Sequence, residues 1–191
     1  MKRFHPLHLA YAAAVAALYV VLTIAANSLG LASGIIQIRI SEALCVLPFF
    51  SPFYSAGLFI GCILANLLTG CAPWDIVFGS IATLIGALIC ALIGKKAQGL
   101  APESKAFKCL MFLSPLPNVI SNTLIVPPIL LHVYGLGLSD LGSYADVCPV
   151  KNAYLLFTIT VFIGEVISCY VFGLLLFPVF RRIAKAVKTQ D

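Results

Sequence analysis

Apolar residues run through this chain in long stretches, interrupted by short clusters of Gly, Pro, Asn and Lys, and six of the stretches have lengths that suit or approach a membrane-spanning helix. The first covers about residues 7–29, is rich in Ala, and gives way to Asn27, Ser28, Gly30, Ser33 and Gly34, which favour a loop. The second, about 35–50, is shorter and carries Gln37, Arg39 and Glu42 before Pro48 and Pro52 end it. The others cover about 53–69, 75–93, 107–132 and 153–180, and the last two are long enough to tilt or to extend beyond the bilayer. No fixed-period repeat or low-complexity tract is visible, so nothing supports an inverted-repeat transporter.

A stretch that holds an Arg and a Glu within about 15 residues is marginal as a span, and the distribution of charge arbitrates. Ten of the twelve Lys and Arg residues fall in three clusters: Lys2 and Arg3; Lys95, Lys96, Lys105 and Lys108; and Arg181, Arg182, Lys185 and Lys188. If the second stretch crosses, six crossings bring all three clusters to one side, as the positive-inside rule asks. If it does not, the central linker opposes the N-terminus. The pattern therefore predicts an all-α membrane protein of the cell membrane, with one transmembrane domain of six helices over 1–191, both termini cytoplasmic, and outer connections near 31–38, 70–74 and 134–152. The basic start followed by an apolar run is read as helix one and not as a signal peptide, because the run exceeds a signal core and meets no cleavage site.

Composition sharpens this. With 61% hydrophobic and 10% charged residues and a mean hydropathy of +1.06, too few polar side chains are present to coat a soluble globule. Six spans use up 191 residues and leave no room for a fused ATPase or catalytic domain of about 100 residues or more. The net charge of +5 brackets apolar segments instead of lining a polar surface, which argues against a nucleic-acid partner. Seven cysteines are scattered through apolar sequence with no CxxC pair and no His at metal-ligand spacing; most read as buried thiols, and a Cys71–Cys148 disulfide between two outer loops stays open. There is no Walker motif, HExxH or GxSxG, and neither a nucleophile with its base nor a metal cluster, so no enzyme, cofactor or metal site is expected.

The informative residues are the polar ones in or beside the spans, because an ionisable group in hydrocarbon costs several kcal/mol unless it is paired or faces water. Arg39 and Glu42 lie three apart on one helix face; they are either a mutually neutralising pair or a site with one member free, Glu42 being the better ligand contact and Arg39 the better structural partner. Asn66 and Asp75 flank an outer turn and should meet near the external surface; Asp75 is either a helix cap or a ligand group. Trp74 is an interfacial anchor or a stacking plate. Asn118 and Asn122 are four apart on one face, serving helix association or a ligand-facing stripe. Glu165, in the middle of the last span, needs a protein partner or a polar cavity. His132 reads as an interfacial histidine, and Asp140, Tyr144, Asp146 and Lys151 as a solvated outer loop that could cover a pocket. Ala10, Ala14 and Ala17 put small residues at intervals of three and four along helix one, which permits close approach of another helix, inside the monomer or from a partner.

The runs Arg39-Ile40-Ser41-Glu42-Ala43-Leu44, Gly57-Leu58-Phe59-Ile60-Gly61-Cys62 with Ala65-Asn66-Leu67, Asp75-Ile76-Val77-Phe78-Gly79-Ser80, and Leu116-Pro117-Asn118-Val119-Ile120-Ser121-Asn122 together resemble the QueT family over nearly the whole chain. The resemblance implies a six-helix substrate-binding (S) component of an energy-coupling factor (ECF) transporter for queuosine precursors, working with a coupling membrane protein and two ATPase subunits. It further implies that Ala10, Ala14 and Ala17 face the coupling protein, and that the pocket lies in the outer half under the connection between helices one and two. Glu42, Asn66, Asp75, Asn118, Asn122 and Glu165 match the polar positions of that pattern. Such a deazapurine carries an N1–H and an exocyclic amine that one carboxylate can accept together, so Glu42 or Glu165 is expected to bind it, Asn118 and Asn122 to read ring edges, and Trp74 or Tyr54 to stack. An S component for thiamine or riboflavin, or a structural membrane protein, is the competing expectation.

Overall fold

In the computed structural model, which describes residues 6–31, 38–137 and 152–188, every regular element is helical. Helix α1 (Pro6–Ser28) is followed by a 3-10 helix (Ile40–Phe49), then α2 (Phe53–Leu68), α3 (Pro73–Ala97), α4 (Lys105–Leu113) and α5 (Leu116–His132). The last rod is α6 (Ala153–Glu165), a π-helical stretch (Val166–Phe172) and α7 (Gly173–Lys188). Four stretches are long and apolar enough to cross a membrane: His8–Ser28, Pro73–Ala97, Lys105–His132 and Ala153–Ala184. Ile40–Phe49 and Phe53–Leu68 are apolar but shorter. The protein is thus an all-helical, multi-pass membrane protein.

Three differences from the sequence expectation have local causes. The segment expected over 35–50 is a 3-10 helix with Pro48 inside it; at about 2 Å per residue its ten residues reach roughly 20 Å, short of a hydrocarbon core of about 30 Å. The segment expected over 107–132, with a break at Pro115-Leu116-Pro117, is two separate helices. Ser104 starts α4 by accepting a hydrogen bond from the Phe107 N–H at 3.2 Å, and Pro115 and Pro117 bring about the break before α5. The last span continues to Lys188 and widens into the π stretch just after Glu165. That wide turn faces the tight one: the Cys169 thiol lies 3.7 Å from the Glu42 carbonyl, and a Cβ on Gly173 would sit 3.2 Å from the Ala43 carbonyl.

The chain runs back and forth between two ends of the bundle. Asn27, Arg39, Thr69, Asp75 and Tyr134 gather around a cavity at one end, and Phe49, Gly94, Phe107 and Arg181 around another at the opposite end. Helices α1 and α2 are in such close contact that a Cβ on Gly57 would be 2.4 Å from the Ala12 carbonyl, so only glycine fits there. Aromatic rings pack against one another at the basic end, with Phe49 5.3 Å from Phe177 and 5.8 Å from Phe107 between ring centroids. Leucines such as Leu92, Leu124 and Leu175 point outward, whereas polar groups lie inside, as a bilayer solvent requires. Lys2, Arg3, most of the 31–38 connection, Asp140, Tyr144, Asp146 and Lys151 lie outside the described residues, as does Cys148 and with it the Cys71–Cys148 pairing.

Candidate functional site

Four separate elements bring buried polar groups together in the middle of the bundle. Glu42, on the 3-10 helix, is 1% exposed. Its Oε1 accepts a short hydrogen bond from the Tyr19 hydroxyl of α1, and its Oε2 accepts one from Asn118 Nδ2 of α5 at 2.8 Å. The same amide nitrogen lies 3.5 Å from Glu165 Oε2, which also accepts from the Cys169 thiol at 3.4 Å. Asn122, one turn beyond Asn118, is beside Glu165. Glu165 therefore has protein partners. Not every polar atom is used: Asn118 Oδ1 and Asn122 Nδ2 are buried without a hydrogen-bond partner. The ligand atoms of Glu42, Glu165 and Cys169 lie within 4.8 Å of one another, a set that could hold a cation, yet Tyr19, Asn118 and the thiol proton already occupy its oxygens.

One turn above this cluster is a cavity of about 290 Å³, lined by Thr23, Asn27, Arg39, Asn66, Thr69 and Asp75, with Tyr134, Leu130 and Leu136 on one side. The 3-10 geometry relates the two. With three residues per turn, Arg39 stands directly above Glu42, about 6 Å higher, and the Glu42 N–H donates to the Arg39 carbonyl at 2.9 Å. Among the described residues the two side chains make different contacts. Glu42 is held by Tyr19 and Asn118, while Arg39 faces the cavity, where Asp75 is the charge that acts on it most strongly. Thr23 bridges the layers on α1, its hydroxyl 2.9 Å from both the Tyr19 carbonyl and Ser41 Oγ.

Asp75 is the acid of the set that keeps an oxygen without a partner. The helix starts at Pro73 with Ala72 at its cap, so Asp75 sits within the first turn and makes no capping hydrogen bond. Only one of its oxygens is used, Oδ2 accepting from the Tyr134 hydroxyl at 3.0 Å; Oδ1 is buried without a partner. Tyr134 in turn accepts from the Ala72 N–H at 3.0 Å. Gly79, one turn on, keeps this corner clear: a Cβ there would sit 3.2 Å from Asp75 Oδ1 and 3.5 Å from Asn66 Nδ2.

The expected site residues therefore divide. Arg39, Asn66 and Asp75 line the cavity; Glu42, Asn118, Asn122 and Glu165 form the layer beneath it. Trp74 is 60% exposed and stacks on Phe78 with ring centroids 5.9 Å apart, away from the cavity lining. Tyr54 is buried near the start of α2, in the apolar core at the far end of that helix from Asn66. Ala10, Ala14 and Ala17 are on the outward face of α1, while Ala12 and Ala16 face α2. Sequence reasoning missed Tyr19, Tyr134 and Cys169. Tyr19 and Cys169 occur in apolar runs that read as ordinary span, and Tyr134 beyond the end of one; nothing in the local pattern marks their polar atoms.

Residues 9–182 match a family model described as QueT transporter. The chain is also similar to a curated protein, the queuosine precursor transporter QueT of Lactococcus lactis subsp. cremoris (strain MG1363), with 36% identity over 86 residues. That alignment covers 44% of this chain and spans half the length of the relative. No solved structure matches the chain.

Proposed function

This chain belongs to the QueT transporter family, a family of transporters and not of enzymes, and from that premise we propose that it is the substrate-binding subunit of an ECF-type importer that captures a queuosine precursor from outside. Its similarity to a protein named as a queuosine precursor transporter supports the substrate. The observation that carries the site is the partnerless oxygen of Asp75 on the wall of the 290 Å³ cavity. This volume is near the lower end of the range of about 300–1,000 Å³ usual for small-molecule sites. Asp75 accepts the paired N–H groups of the deazapurine or its aminomethyl cation, and Arg39 and Asn66 donate to the ring oxo group. Glu42, Asn118, Asn122 and Glu165 hold the floor, with the two unused amide atoms as further ligand contacts.

The proposed topology has six crossings and cytoplasmic termini, because Lys95, Lys96, Lys105, Lys108, Arg181 and Arg182 all lie towards the end opposite the cavity. The outward face of Ala10, Ala14 and Ala17 is the contact for the coupling membrane protein, which carries the two ATPase subunits. Calorimetric titration of the purified protein with queuine and its aminomethyl precursor, using thiamine and riboflavin as controls, tests the substrate. Saturable binding of a deazapurine alone is expected; binding of a control alone would overturn the substrate, and no binding by folded protein would return it to a structural role. Ala14→Trp should abolish copurification of the ATPases without lowering ligand affinity, and retention of the ATPases would remove α1 from the interface.

A further inference from the structure

The basic end of the bundle contains a second kind of opening, unrelated in chemistry to the polar cavity. Between α4 and α7 lies a space of about 380 Å³ whose apolar wall includes Phe107, Met111 and Phe177 and whose rim carries Lys108, Arg181 and Arg182. A smaller cavity of about 170 Å³ adjoins it, sharing Phe107 and Arg181. The Arg181 guanidinium is 5.5 Å from the centroid of the Phe107 ring, which fixes it at the junction of the two. Among the described residues no acidic residue lines either space, and no ion pair occupies these three cations. Helix α4 carries Lys105 and Lys108 together with the exposed Phe112 and Leu113 and buries none of its side chains, as expected of a helix at the boundary of a bilayer.

We infer that the gap between α4 and α7 is a binding site for an anionic phospholipid, its phosphate held by Lys108, Arg181 and Arg182 and one acyl chain lying along Phe107, Met111 and Phe177. Both halves of the site are needed for this assignment. A free inorganic anion would satisfy the cations and leave the apolar wall wet, whereas a neutral lipid would fill the wall and leave the cations unpaired. An anionic lipid satisfies both, and the bilayer supplies it at high local concentration. Each Lys or Arg close to an anionic headgroup contributes about a fivefold gain in binding.

Native mass spectrometry of the detergent-purified full chain, titrated with phosphatidylglycerol or phosphatidylcholine of matched acyl chains, tests the site. The unmodified protein should retain phosphatidylglycerol preferentially. Arg181→Gln with Arg182→Gln should reduce that preference roughly twentyfold and Lys108→Gln about fivefold. Lys95→Gln with Lys96→Gln, exposed at the same end on α3 and outside both cavities, should leave it unchanged. If the double arginine variant melts prematurely, Lys108→Gln carries the test, since Lys108 is exposed. Equal retention of the two lipids, or an equal loss in the Lys95/Lys96 variant, overturns the site. Displacement of the lipid by millimolar inorganic phosphate reassigns it to a free anion, and loss of copurifying ATPases in the arginine variant with no lipid preference reassigns it to a protein partner.

Discussion

The two polar layers of this bundle use similar side chains to opposite ends. In the lower one, Glu42 and Glu165 share Asn118 and are closed off by Tyr19 and Cys169. In the upper one, Asp75 has one occupied oxygen and one empty one, Arg39 lines the same cavity, and Gly79 leaves room between Asp75 and Asn66. Burial alone does not separate them, since Glu42, Glu165, Asp75 and Asn66 are all buried. The difference is in the carboxylates: those of Glu42 and Glu165 are held by protein donors from separate elements, while Asp75 keeps one oxygen free. Protein donors on both lower carboxylates fix the arrangement of the helices around them, whereas a buried polar atom without a partner, such as Asp75 Oδ1 above or Asn118 Oδ1 and Asn122 Nδ2 below, is costly to keep unless a ligand meets it. In the proposed function the lower layer serves as the floor and the upper layer as the capture site.

The largest effect is expected at the floor. Asn118→Leu removes the single amide that donates to both Glu42 and Glu165, leaving two buried carboxyl groups short of a donor at a cost of about 3 kcal/mol. Thermal unfolding in detergent should shift down by several degrees; an unchanged midpoint would show that the floor does not hold the bundle together. At the upper layer the expected effect is somewhat smaller and of another kind. Asp75→Asn keeps an acceptor for Tyr134 but replaces the free carboxylate oxygen, and should cost about 2 kcal/mol of binding, roughly thirtyfold in the Kd for queuine, with little change in the unfolding midpoint. Should the stability effect and the binding effect change places between the two variants, the division into floor and capture site would be wrong.

How much of this the sequence revealed depends on the range of the information. The hydrophobic period and the Lys and Arg clusters located the apolar segments and the basic end, because span length and charge asymmetry are local properties. The polar residues were recognisable one by one, since Glu42, Asp75, Asn118 and Glu165 are expensive in an apolar chain. Their sorting into two layers was not. It depends on the 3-10 rise that sets Arg39 above Glu42, on the π stretch that brings Cys169 up to Glu42, and on Tyr19, 23 residues away from Glu42. The break before α5 was legible as well, because Pro115 and Pro117 interrupt the backbone ladder even where the apolar run continues through them.

Tyr134 tests the border between the layers and the solvent, with the smallest expected effect. Its hydroxyl ties the end of α5 to the start of α3, donating to Asp75 Oδ2 while accepting from the Ala72 N–H. Burial, helped by the neighbouring Asp75 carboxylate and partly offset by the Ala72 N–H, raises its pKa above the ordinary tyrosine value. The neutral, donating form is therefore favoured by folding; the stabilisation is complete below the ordinary value of about 10 and is lost only as pH rises through the higher folded one. Tyr134→Phe frees the second oxygen of Asp75 and unpairs one backbone donor. Because the residue is 40% exposed, water replaces much of what is lost, and the effect should be about 1 kcal/mol, a weakening of queuine binding by about fivefold. Calorimetry between pH 6 and 9 should find that fivefold ratio constant, since the Tyr134 hydroxyl keeps its proton throughout. A ratio that collapsed towards one within this range would mean that the hydroxyl ionises there, and that Asp75 has a repelling neighbour and not a donor.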